Sequence, residues 1–304
     1  MTTETSTEPT TGLPRHLPTL VARGGYSDRG PRRPYNEDAW ALPAAGVNES
    51  GLGTLAVVAD GVSGAEGGAE ASRSAVQDLQ ALYYAGAGPS QPGARLRREV
   101  EAVNALNRLG QDASRRGRER LTTLVAAVAL HDRLWLANVG DSRAYLVCAR
   151  DGTARPVTED HSRRLELIKA GLLDGDGPAP VHDGVLTHAI GLDEVLPVDL
   201  YQYTWEPGDR LVLCSDGLSR LSPATIAAIA LRYPPPVAAR ELIEQANRQD
   251  GSDNSTAVIL AWEGTLKRDT ARTGQGWRRG IGCGLALGLL AGLLLGWFVA
   301  SYLL

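Results

Sequence analysis

Cysteine, lysine and an apolar N-terminus are what this chain has least of. Its three cysteines, Cys148, Cys214 and Cys283, stand far apart, show no metal-ligand spacing and leave one over in any disulfide scheme. That excludes a disulfide-stapled secreted scaffold and fits a reducing cytosol. Lysine occurs only at Lys169 and Lys267, the net charge is −4, and arginine carries nearly all the positive charge. The broad basic face of a nucleic-acid binder is therefore missing, and no nucleic-acid partner is expected. Met1 to Pro18 is rich in Thr, Glu and Pro and has no apolar stretch of the kind a secretory signal needs. Residues 1–19 read as a disordered leader.

Charge is absent altogether from Ile281 to Leu304. As a helix rising about 1.5 Å per residue, that segment reaches roughly 36 Å, more than the roughly 30 Å hydrocarbon layer of a bilayer. Residues 280–304 are expected to be a single transmembrane anchor. Arg278 and Arg279, with Lys267, Arg268 and Arg272 upstream in the polar linker 263–279, put everything before the anchor on the cytoplasmic side. Gly280, Gly284, Gly288, Gly292 and Gly296 recur every four residues, a spacing that suits a homodimer seam as well as lipid-facing or hetero-partner packing.

What is present, at 43% apolar residues, is enough for a sizeable core. Gly53–Ala59, Thr123–Leu130, Leu134–Asn138, Arg143–Cys148, Arg210–Ser215 and Ala257–Trp262 are short β-branched or apolar runs bounded by turn residues, and predict strands. Glu66–Tyr84, Arg95–Ser114, Ser162–Ala170, Pro223–Leu231 and Val237–Gln249 have helical composition. The tight His131-Asp132-Arg133 connection predicts a hairpin, and strands do not simply alternate with helices, so a layered α+β domain is expected over residues 20–262.

The strongest chemical signal is an apolar strand bordered by an aspartate with a small or turn-forming neighbour: Asp60-Gly61, Asp141-Ser142, Asp216-Gly217, and Asp253-Asn254 just before a strand. A single Asp-Gly is first a turn signal. Four carboxylates fixed at the rim of a sheet repel one another unless a hard cation such as Mg²⁺ or Mn²⁺ lies between them, and oxygen donors suit those ions. Arg33, just before Glu37-Asp38, is the residue type that grips phosphate bidentately.

Together, Arg33…Asn36-Glu37-Asp38, Asp60-Gly61-Val62-Ser63-Gly64, Ala137 to Tyr145, Thr158-Glu159-Asp160-His161-Ser162, Cys214 to Ser219 and Asp253 to Thr256 resemble, in order, the type 2C metal-dependent protein phosphatases. The resemblance covers about residues 23–262. It implies an α-β-β-α sandwich of two antiparallel sheets flanked by helices, with two Mn²⁺ or Mg²⁺ ions and a third, weaker one at its edge. Asp60 would bridge the two ions, the Gly61 carbonyl would bind one, and Asp216 and Asp253 the other. Glu37 and Asp38 would act largely through water, Asp141 would share the third ion with Asp216, and Arg33 would hold phosphate. The implied reaction is hydrolysis of phosphoserine and phosphothreonine in proteins, including kinases at the same membrane or their substrates. Three positions depart from the family pattern: Ala65 where a general-acid histidine is usual, Leu121 for glycine, and His188 for arginine. Glu66 or Glu70 could replace the acid only if its pKa were raised. The departures motivate a second reading, a pseudophosphatase that binds phosphoproteins without turnover. His161 and His188 read as structural histidines.

Overall fold

The computed structural model describes residues 19–43, 51–62, 67–85, 91–113, 120–174 and 185–265. The chain divides into two units, Met1–Leu266 and Lys267–Leu304, and every described residue belongs to the first. The expected transmembrane anchor and its glycine stripe lie outside the described residues, as does nearly all of the leader. Among the described residues no helix is long and apolar enough to cross a membrane.

Ten strands are described: β1 (Thr19–Asp28), β2 (Asp38–Ala41), β3 (Thr54–Asp60), β4 (Leu124–Leu130), β5 (Arg133–Val139), β6 (Arg143–Cys148), β7 (Thr153–Pro156), β8 (Asp199–Thr204), β9 (Arg210–Cys214) and β10 (Ser255–Thr265). They form two five-stranded sheets, ordered β1-β10-β9-β6-β7 and β2-β3-β4-β5-β8, antiparallel throughout. The helices are α1 (Gly68–Ala85), α2 (Pro92–Ala113), α3 (Arg163–Lys169), α4 (Pro223–Arg232) and α5 (Pro235–Gln249).

The alternation of side chains along a strand sorts the core into layers. In β3, Leu55, Val57 and Ala59 pack with Leu79 and Tyr83 of α1 and Leu96 and Val100 of α2. The intervening Ala56 and Val58 face the other sheet and meet Leu211, Leu213, Val258 and Leu260. The opposite faces of β9 and β10, Val212 and Ile259, lie under Ile226 of α4 and Leu242 of α5. Both faces of each sheet are thus covered, which is why the central strands read as continuous apolar runs although they are antiparallel. Burying each such Val or Leu contributes roughly 1.5–3 kcal/mol.

Local signals set several element ends. The β4–β5 hairpin turns on His131-Asp132, with Leu130 paired to Arg133 and His131 at φ 55°, a left-handed backbone uncommon outside glycine. Ser162 and Ser222 cap α3 and α4 by accepting the amides of Leu165 and Thr225. Strand β10 continues past Trp262 to Thr265, into the segment expected as linker, because Thr19 and Val21 of β1 pair with its end. Strands β1, β2, β7 and β8 were not evident from composition. In β1 the apolar pattern is interrupted by Gly24 and Gly25, and packing requires both: a Cβ on Gly24 would strike Pro236 of α5, and one on Gly25 would lie 2.7 Å from the Trp40 ring.

Candidate active site

The acidic residues come together at one end of the two packed sheets, at the ends of strands from both. Asp38 opens β2 and Asp60 closes β3, and the two are direct partners across the antiparallel ladder. Asp216 follows β9 in a short 3₁₀ turn, Asp216–Leu218, and Asp253 precedes β10, the strand paired to β9. Asp141 follows β5 after Gly140. Asp60, Asp141, Asp216 and Asp253 line one cavity of about 230 Å³ together with Arg33, Val62, Thr123 and Leu186. A second recess of about 140 Å³ shares Asp216 and Asp253 and reaches Arg220 and Asp250.

Hydroxyl groups hold the Asp38 carboxylate and the backbone beside Asp60 and Asp141. The Asp38 Oδ2 accepts hydrogen bonds from the Ser215 hydroxyl (2.8 Å) and the Thr256 hydroxyl (2.7 Å), while its buried Oδ1 has no hydrogen-bond partner. The Asp60 amide donates to the Thr123 hydroxyl (2.9 Å), which also meets the Ser142 hydroxyl at 2.7 Å, so the bases of Asp60 and Asp141 are joined. Asn254 pins the loop before β2: its Oδ1 accepts the Glu37 amide, and its Nδ2 donates to the carbonyls of Arg29 and Tyr35. Arg33 rides on that loop, donating through Nε to the Ser252 carbonyl (3.2 Å) and through Nη2 to Asp253 (2.5 Å). Gly61 is required on packing grounds, since a Cβ there would strike Gly68 and lie 2.8 Å from the Glu37 carbonyl, and its amide donates to that carbonyl (3.1 Å).

The electrostatics follow from burying like charges together. Burial, opposed by the bonds from Thr256 and Ser215 and reinforced by Asp216, pushes the Asp38 carboxyl up to about 7. Burial, then Asp216 and Asp160, push Asp141 up to about 7 as well. Burial, followed by the charges of Asp38, Asp216, Asp141 and Asp253, drives Asp60 well above the usual carboxylate range. Asp216 is raised by burial and then Asp253, and its Oδ1 also lacks a partner. Among the described residues no three His, Cys, Asp or Glu side chains close into a preformed ligand cage. The carboxylates instead lie close enough for each to raise its neighbours, as like charges do. Orphaned acid oxygens, raised carboxyl pKa values and an all-oxygen donor set fit hard divalent cations.

Of the acids singled out in the sequence, Asp60, Asp141, Asp216 and Asp253 line the cavity, Asp38 lies buried opposite Asp60, and the Glu37 carboxylate lies beside Gly68. Sequence reasoning gave no role to Ser215, Thr256, Asn254 or Thr123, although all but Thr123 lie inside the motifs quoted above. The signal was a hydroxyl or amide side chain beside Asp141, Asp216 and Asp253. Ala65 and Glu66 lie outside the described residues. Glu70 stands 3.4 Å from the Arg120 guanidinium and is largely exposed, paired at the surface of α1.

Residues 32–248 match the model of the protein phosphatase 2C family. The chain belongs to that family. Serine/threonine phosphatase stp of Listeria welshimeri is 32% identical over 244 residues, spanning 77% of this chain and 93% of that one. The crystal structure of the Mycobacterium tuberculosis serine/threonine phosphatase PstP/Ppp superposes with a TM-score of 0.68 at 31% identity, over 80% of this chain and 99% of that one. A structure of the PstP catalytic domain in complex with two manganese ions matches with a TM-score of 0.66 at 30% identity, over 79% of this chain and 97% of that one. The present chain is an enzyme of the same type, a protein phosphatase with the 2C fold.

Proposed function

We propose that this phosphatase hydrolyses phosphoserine and phosphothreonine in proteins at a centre of two Mn²⁺ or Mg²⁺ ions held by the acids of the sheet junction. The observation that carries the reading is the convergence of Asp38, which is buried, with Asp60, Asp141 and Asp216, which are half-buried, all raised in pKa and in part without hydrogen-bond partners. Asp60 would be shared between the ions, with the Gly61 carbonyl on one and Asp216 and Asp253 on the other. Glu37 and Asp38 would act through water, and Asp141 with Asp216 would hold a third, weaker ion. When bound, such ions supply Lewis acidity and a water made nucleophilic near neutral pH. The chain supplies the rest. Arg33, on the loop clamped by Asn254, exchanges part of its pairing with Asp253 for two phosphoryl oxygens and orients the ester. Leu186 and Val62 wall the cavity with apolar surface and limit water entry.

Ala65 favours a second reading, a regulator that binds phosphoproteins without turning them over, because loss of a general acid slows poor leaving groups by about 10²–10⁴-fold. On the sequence alone we also place the domain at the cytoplasmic face of a membrane, close to membrane-bound kinases or their substrates. The test is Mn²⁺-dependent hydrolysis by the full-length chain of p-nitrophenyl phosphate and of a phosphothreonine peptide. Turnover of both is expected, the peptide suffering more from Ala65 than the aryl ester. Mn²⁺ binding with neither substrate hydrolysed would establish the regulator instead.

A further inference from the structure

The turn that carries Asp141 is held by one short segment, Thr158 to His161. The Ala144 amide donates to the Thr158 hydroxyl (2.9 Å), Asn138 Nδ2 to the Glu159 carbonyl (2.9 Å), and the Arg143 guanidinium forks onto Asp160 through Nε at 2.9 Å and Nη2 at 2.6 Å. His161 takes both polar ends of Gly140: its own amide donates to the Gly140 carbonyl (2.9 Å), and its Nδ1 accepts the Gly140 amide (3.2 Å). Gly140 has φ +100° and no room for a Cβ against Thr123, so its conformation is set by these partners and that contact.

An imidazole that accepts at Nδ1 while neutral must carry its proton at Nε2. That nitrogen lies 3.2 Å from the Asp199 Oδ2, which also accepts the Tyr201 hydroxyl at 2.9 Å. Asp199 faces Asn138 across the β5–β8 ladder, so the strand that leads into the turn is paired with the strand that carries the partner of His161. The His188 ring stands edge-on to His161, centroids 4.5 Å apart at 84°, and closes the other side; its buried Nδ1 has no hydrogen-bond partner. None of these groups lines the cavity, and His161 is 9% exposed.

We propose that His161, oriented by Asp199, is a positioning residue that fixes the Gly140 peptide and thereby aims Asp141 into the cleft. The functional half rests on the reading of Asp141 as the ligand of the weakest ion. Removing an outer partner of a metal-binding group lowers metal affinity about 10-fold or more. The chain of contacts is Asp199 carboxylate, His161 imidazole, Gly140 amide, Asp141.

Two readouts on the full-length chain test this, comparing His161→Phe with His161→Asn, whose amide oxygen can replace Nδ1 as acceptor. In the metal-free protein, hydrogen exchange at residues 139–142 should rise about 10-fold in His161→Phe relative to the flanking amides of β5 and β6, and return towards wild type in His161→Asn. In Mn²⁺ calorimetry, the weakest binding step should lose about 10-fold in affinity in His161→Phe, the tighter steps staying within a factor of about three, with recovery in His161→Asn. Unchanged exchange overturns the positioning claim. Raised exchange with an unchanged isotherm overturns its link to metal. A wild-type chain that binds no Mn²⁺ refutes the proposed function, and exchange still decides whether His161 positions the turn. If His161→Phe does not fold, Asp199→Ala replaces it: the same two changes, several-fold each, are expected, and wild-type behaviour overturns the proposal.

Discussion

Two sets of charged groups lie within a few residues of each other at the sheet junction, and they are satisfied in opposite ways. Around Arg143, negative charge is matched inside the chain: the guanidinium forks onto Asp160, and both side chains are at least two-thirds covered. Around Asp60, negative charge outweighs positive. Asp38, Asp216, Asp141 and Asp253 press on it, while Arg33 pairs with Asp253 and, with Arg143, only partly offsets the burial of Asp216. The first arrangement is structural. The second is destabilising until a cation joins it, which is how a stable fold stores the binding energy for one.

The largest expected effect comes from breaking the second arrangement. Asp60→Asn should lower kcat by about 10³-fold while making the metal-free chain more stable by about 1–3 kcal/mol, because a repelled buried charge is lost. Both numbers are checked on one preparation, by steady-state kinetics and by denaturant unfolding. A variant that is inactive but also destabilised would show that Asp60 serves the fold.

The same contrast has a pH signature. Asp38 and Asp141 are raised from an ordinary 3.8 to about 7, so the folded chain binds protons that the unfolded chain has released. Their contribution is fully present below pH about 3.8 and is lost as pH climbs through about 7. Metal-free stability should therefore decline between about pH 4 and 8, by about 2–4 kcal/mol after allowance for shared protons. Other acid groups superimpose their own trends, so the decisive comparison is wild type against Asp60→Asn, whose slope over this window should be shallower. Equal slopes would remove the carboxylate cluster from the explanation.

Arg143→Met attacks the satisfied arrangement instead and should lower stability by about 2 kcal/mol, read in urea, since it leaves Asp160 half-buried without its partner. Arg33→Ala is the mildest change: an increase of about 10-fold in KM with a smaller drop in kcat, since the role proposed for Arg33 is to grip phosphate rather than to serve the reacting centre. An unchanged KM would take Arg33 out of the site.

Much of this architecture was legible in the residues. The strand β6 was found to the residue, and β3, β4, β5 and β9 to within one at each end, because long apolar runs with turn residues at both ends leave little choice. The aspartates could be placed at strand ends for the same reason. Strands β1, β7 and β8 were invisible because tertiary contacts, not periodicity, hold them: Gly24 and Gly25 of β1 yield space to Pro236 and Trp40, and β7 is a four-residue edge strand beside β6. Asp38 was expected to act at a distance through water. Its pairing opposite Asp60 could not be foreseen without β2, a four-residue strand with a half-buried face. Hydrogen bonds from residues more than 170 positions away, Ser215 and Thr256 to Asp38, likewise leave no local trace in the sequence.

The most direct measurement is thermal unfolding of the full-length chain at pH about 7.5 as a function of Mn²⁺, in wild type and in Asp60→Asn. A cluster that needs a cation predicts a Tm rising steadily with Mn²⁺ in wild type, by the amount that mass action assigns to about 100-fold saturation, about 2.7 kcal/mol, and a flat response in Asp60→Asn. A wild-type Tm indifferent to Mn²⁺, or an equal rise in both proteins, would contradict it.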